Sequence, residues 1–77
     1  MPHVVVKLVE GRSDEQKVRL AEQIVKDVTV TLSCGEESVS VAIEDVKRGD
    51  WTEKVYKADI VPGWDKLYKK PGYNPFE

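Results

Sequence analysis

The residue with the most chemical potential stands second. Pro2 directly follows Met1, at the mouth of an apolar run. A methionine ahead of a small residue such as proline is usually trimmed, which would leave Pro2 with a free secondary amine. Such an amine can take a proton from one atom and return it to another, and it works best when its pKa lies near the working pH. A generic α-amino group, with a pKa of about 7.7–8.0, is only about one-seventh free base at pH 7. Proline's amine is more basic and needs a larger push, from burial or a nearby cation. While Met1 remains attached, the nitrogen is a tertiary amide with essentially no basicity. A plainer reading stands beside this one. Pro2 is then only the first residue of a strand, where a missing N–H and a fixed φ cost little.

Other chemistries are narrowed by count. His3 is the only histidine and Cys34 the only cysteine. One of each cannot build a four-ligand zinc site, and no disulfide can close within the chain. No spacing suggests a Ser-His-Asp set. Strand neighbours face opposite ways, so His3, next to Pro2, reads as structural. Cys34 reads as a small packed residue at a helix end. No cofactor or metal is called for, and the lone thiol agrees with a reducing cytoplasm.

These residues must be positioned by a small set of elements. "HVVVKLV", residues 3–9, is β-branched and nearly all apolar, as a strand with both faces covered would be. Gly11 breaks it. "SDEQ" then opens a helix: Ser13 can cap, Gln16 is its reciprocal partner, and Asp14 and Glu15 suit the positive end of the dipole. Val18, Ala21, Val25, Val28 and Leu32 recur at spacings of three and four, widened by Leu20 and Ile24. The helix is expected from about 14 to 33, with Gly35 as its stop. "SVSVAIEDV", residues 38–46, is a second strand, with Val39, Val41 and Ile43 on one face and Ser40, Ala42 and Glu44 on the other. Strand, long helix and strand make a β-α-β unit with two parallel strands in an α/β fold.

Asp50 can cap a second helix with Trp51, Val55 and Ala58 inside, broken near Pro62, which disfavours helical geometry at Val61. A last turn carries Trp64, Leu67 and Tyr68, and "KKPGYNPFE" is an irregular tail. All six aromatic residues stand at or after Trp51.

Seventy-seven residues are expected to form one domain, 1–77, with a marginal core of its own. Two strands and a helix leave a sheet face and an edge open. Pairing two chains edge to edge would give four strands under two helices, so a homodimer is the minimum expected. The net charge is −2 and the densest basic cluster is only Lys66, Lys69 and Lys70. Neither nucleic acid nor an anionic membrane is an expected partner. No apolar run is long enough to span a bilayer.

Several of these motifs occur together in one order: "MP", a strand, "LVEGRSDEQK", a helix, "SVSVAIEDV" and "GDW". Together they resemble the 4-oxalocrotonate tautomerase family over residues 1–51. The longer carboxyl end with "KKPGY" is similar to its PptA-like branch. The resemblance implies a tautomerase fold, hexameric in the short members and dimeric in the PptA-like ones, and a trimmed proline as catalytic base, matching Pro2. It implies a carboxylate-binding arginine at Arg12 and an aromatic pocket wall at Trp51. Where the family carries a second arginine this chain has Ser40, which points away from dicarboxylates and toward monoacid or more apolar enols.

With that resemblance the catalytic reading of Pro2 takes precedence. The expected reaction is a cofactor-free enol–keto tautomerisation of 2-hydroxy-alkenoates or phenylenolpyruvate-like enols. Two rivals stay open. One is a dehalogenase or hydratase using Glu44 to activate water; the other is a small dimeric binding module in which Pro2 is incidental.

Overall fold

In the computed structural model, which describes residues 1–77, the first apolar run forms strand β1, His3–Val9. Helix α1 spans Asp14–Leu32 and strand β2 spans Ser40–Val46. The strands are parallel, in register from His3 opposite Ser40 to Val9 opposite Val46. Gly11, at φ 122°, makes the turn between β1 and α1 in a conformation that a β-carbon would strain.

The amino end of α1 is built as its sequence dictates. The Ser13 hydroxyl accepts from the Gln16 N–H at 3.1 Å, and the Ser13 N–H donates to Gln16 Oε1 at 3.0 Å. The carboxyl end departs from expectation. Ser33, not Gly35, takes the left-handed conformation, at φ 54°. The Cys34 N–H reaches back to Thr29 O at 3.2 Å, the wrap that closes a helix whichever residue fills the left-handed position. Gly35 is extended and opens a short 3₁₀ turn, Glu36–Ser38, so β2 starts two residues later than its alternation suggested.

The two sheet faces serve different layers. Val4, Val6 and Leu8 share a face with Val41, Ile43 and Asp45. α1 lies on this face: Lys17 Nζ donates to Asp45 Oδ2 at 2.5 Å, and Leu8 lines a cleft with Leu20. The other face carries His3, Val5 and Lys7 beside Ser40, Ala42 and Glu44. A 3₁₀ turn, Arg48–Asp50, leads into a nine-residue π-helix, Thr52–Ile60, laid over this second face. A further 3₁₀ turn, Trp64–Lys66, and the tail follow.

The π-helix corrects the expected stripe. Its bonds run i to i+5, as in Val61 N–H to Tyr56 O at 2.9 Å, so inward positions fall four and five residues apart. Val55 and Tyr56 are buried and Ile60 is half-buried, while Ala58 faces solvent. The tail is irregular but packed. Tyr73 and Phe76 each stack against Tyr56 with ring centroids 5.6 Å apart.

Val55 and Tyr56 are the only buried residues, so the tightest packing lies under the π-helix and tail, not under α1. Ala21, Ile24, Val25 and Val28 are half-buried, but Val18 and Leu32, expected in the same stripe, are 55% and 60% exposed. A sheet two strands wide is about 10 Å across, too narrow to cover the whole apolar arc of a helix of that diameter. Val5, on a strand expected to be covered on both faces, remains 45% exposed.

Candidate active site

Pro2 sits at the tip of β1, half-buried, and Met1 beyond it is fully exposed. No packing is lost if Met1 is removed. The Pro2 carbonyl accepts from the Ser40 N–H at 3.1 Å, which ties the tip of β1 to the start of β2. The Ser40 side chain points to the face opposite α1. There Ser40 Oγ lies 2.5 Å from His3 Nδ1. His3, read from sequence as structural, therefore shares a hydrogen bond with a predicted site residue.

Arg12 and Trp51 are elsewhere. Pro2 and Val9 are separated by seven residues of strand, about 23 Å at ~3.3 Å per residue. Arg12 lies beyond Val9, exposed and in none of the four ion pairs, lining a cleft of about 200 Å³ with Leu8, Gln16 and Leu20. Trp51 is half-buried on the other face, near Val9 in a cleft of about 380 Å³. Its Nε1–H donates to Tyr73 Oη at 2.8 Å, so the tail fixes the indole. Within one chain, then, Pro2 and Ser40 are together, while Arg12 and Trp51 stand at the far end of the strand on opposite sides of the sheet.

An open groove of about 650 Å³ runs between the second sheet face and the π-helix. Trp51, Val55 and Ile60 wall it and Val5 forms part of its floor. Lys7 crosses it to Asp59, Nζ to Oδ2 at 2.5 Å, joining sheet to π-helix. That hydrogen bond holds the Lys7 pKa above the ordinary lysine value against the opposing effect of desolvation, helped by the charges of Asp59 and Glu44. Lys17 is raised in the same way by its hydrogen bond to Asp45. Glu44, the carboxylate of the hydratase alternative, thus faces an ammonium group already paired to Asp59.

Three features of this region were not foreseen: the His3–Ser40 bond, the Tyr73 hold on Trp51, and the Lys7–Asp59 crossing. Only the first left a trace in the sequence. His3 and Ser40 are polar breaks at the mouths of two apolar strands, and parallel pairing mouth to mouth places them side by side. No three His, Cys, Asp or Glu side chains converge as a metal centre requires, and no helix is long and apolar enough to cross a membrane.

A family model described as Tautomerase enzyme matches residues 2–55. A probable tautomerase of Xylella fastidiosa is 42% identical over 73 residues, covering 95% of this chain and 89% of its own. Tautomerase PptA of Enterobacter sp. strain 638 is 40% identical over 75 residues, 96% of this chain and 99% of its own. Among solved structures, YwhB, a homologue of 4-oxalocrotonate tautomerase, superposes with a TM-score of 0.59 at 42% identity, covering 61% of this chain and 77% of that one. TomN, a 4-oxalocrotonate tautomerase homologue in the tomaymycin biosynthetic pathway, gives 0.64 at 32% identity, covering 65% and 77%.

Proposed function

This chain belongs to the 4-oxalocrotonate tautomerase family, and from that premise we propose that it ketonises 2-hydroxy-alkenoates or phenylenolpyruvate-like enols with trimmed Pro2 as its proton carrier. Membership makes it an enzyme, an isomerase of the tautomerase type, rather than a binding module. Residues 1–77 act as a single tautomerase domain in the cytoplasm.

The observation that carries the reading is the setting of Pro2. It is half-buried, it is held at its carbonyl by Ser40, and Met1 before it is fully exposed. Freed of Met1, the nitrogen takes the enol hydroxyl proton and delivers a proton to carbon, leaving the 2-oxo acid with no change in oxidation state. Nothing but the substrate and this amine exchanges protons, so no cofactor is needed. Arg12 holds a carboxylate or carbonyl oxygen with its guanidinium fork. Trp51 supplies an apolar wall that keeps water from the amine and disfavours its charged form.

One chain cannot assemble this set, because the strand separates Pro2 from Arg12 and Trp51. Two chains paired antiparallel through free sheet edges would set the Pro2 end of each against the Arg12 and Trp51 end of the other. Val18 and Leu32, exposed on one side of α1, would then be available to the second helix. The π-helix already occupies the opposite sheet face, which a larger assembly would otherwise use, so the homodimer is favoured over a hexamer.

In the decisive experiment, protein lacking Met1 by intact mass is assayed for phenylenolpyruvate ketonisation. Pro2→Ala should lower kcat about 100-fold or more, the range of a lost general acid–base group. A Pro2→Ala variant as fast as the wild type would remove the base from the reaction.

A further inference from the structure

We propose that His3 is a positioning residue: its Nδ1–H donates to Ser40 Oγ and turns the Ser40 hydroxyl hydrogen outward, onto the carboxylate of a substrate held at Pro2. The inference rests on the tautomerase reading above and adds to it a two-residue donor for a monocarboxylate.

The geometry points this way on three counts. His3 and Ser40 are cross-strand partners at the mouth of the sheet, with Nδ1 and Oγ 2.5 Å apart. The same serine binds Pro2 through its backbone, its N–H donating to the Pro2 carbonyl at 3.1 Å. One residue thus both ties the tip that carries the proton carrier and offers a side-chain hydroxyl beside it. Finally, both side chains project from the face that also carries the Trp51 groove. In a four-stranded sheet with both α1 helices on one side, that face is continuous across the pair, and Trp51 of a second copy comes to lie on the same side as His3 and Ser40.

A serine hydroxyl has one hydrogen and two acceptor lone pairs, and its rotor is free unless something fixes it. If Oγ–H donated to Nδ1, that hydrogen would be used up and the substrate would meet only lone pairs. When Nδ1 carries the proton, one lone pair is filled and the hydroxyl hydrogen is left for an anionic oxygen. A fixed neutral donor binds a carboxylate without adding a full charge to the site. It holds the substrate in the ground and transition states alike, so its loss should raise KM and leave kcat nearly unchanged.

The test is a double-mutant cycle on Met1-trimmed enzyme with phenylenolpyruvate as substrate, alongside Pro2→Ala. Ser40→Ala and His3→Ala should each raise KM about 10-fold or more, as loss of a hydrogen bond to an anion predicts. In the Ser40→Ala background His3→Ala should add nothing, because His3 acts only through the hydroxyl. His3→Asn, whose amide N–H can donate to Oγ, should recover most of the wild-type KM. Both side chains are exposed, and circular dichroism with light-scattering mass checks that each variant keeps its fold and assembly. An unchanged KM in Ser40→Ala, a His3→Ala effect that persists without the hydroxyl, or failure of His3→Asn to rescue would overturn the proposal. Those outcomes leave the Pro2 reading standing, since Pro2→Ala is read in kcat. A Pro2→Ala variant with wild-type kcat would overturn both.

Discussion

At the scale of single residues, the site depends on how side chains are held as much as on which are present. The Trp51 indole is tethered by Tyr73, twenty-two residues on, through one hydrogen bond of 2.8 Å. Tyr73→Phe keeps the ring stacked on Tyr56 and removes only the acceptor. The expected result is a KM increase of about 2–5-fold with a stable fold, since a neutral hydrogen bond contributes about 0.5–1.5 kcal/mol. In a Trp64→Phe background Trp51 is the only indole, and its emission should shift to the red as the ring loosens. Pro2 stands out as a candidate from the chain alone because a methionine precedes it, and Arg12 is a candidate through the family resemblance. The His3–Ser40 and Trp51–Tyr73 bonds do not stand out in this way, because each depends on a pairing that only the folded register and the path of the tail create.

At the scale of elements, β1 and the start of α1 form where local chemistry demands them. The ends and the winding that differ from expectation were decided by longer-range packing. Ser33 shows this most directly. A non-glycine residue in the left-handed region carries a steric cost that glycine avoids. Ser33→Gly should therefore raise the unfolding free energy by about 0.5–1 kcal/mol in urea titration, and Gly35→Ala should not mimic it. An α-helical period, applied to residues 51–60, points Ala58 inward; the i to i+5 winding turns in Tyr56 and Ile60 instead. Tyr56 stacks on Tyr73 and Phe76 from the irregular tail. That reward comes from residues with no periodicity of their own, so no pattern within 51–60 announced it.

At the scale of the molecule, the layers are joined by ion pairs whose pH dependence has a definite sign. Lys7 links the sheet to the π-helix and Lys17 links α1 to β2, and both have raised pKa values from hydrogen bonds to Asp59 and Asp45. A raised lysine contributes stability that is fully present below its unfolded pKa and is lost as pH rises through the folded one. These links should therefore hold across neutral pH and weaken only above the ordinary lysine range, about pH 10.4. Thermal melts of Lys7→Met against wild type should differ by a constant amount from pH 6 to 9, and the two curves should converge at higher pH. The pairs are part-exposed, so the constant is small. The β-α-β plan was legible because a helix between two strands admits few arrangements. The layering of the second face was not, because the burial of Tyr56 under the tail depends on contacts between segments distant in sequence.

The length of β1 between Pro2 and Arg12 has a genetic reading. If each reaction centre borrows from two polypeptides, two dead proteins can cure one another. Pro2→Ala and Arg12→Ala subunits, each crippled alone, should regain activity when unfolded and refolded together. Random mixing of equal amounts makes half the pairs hybrids, each with one wholly intact centre of its two, so recovery should approach about a quarter of the wild-type rate. Two mutants that stay silent after mixing would mean that every polypeptide keeps its chemistry to itself.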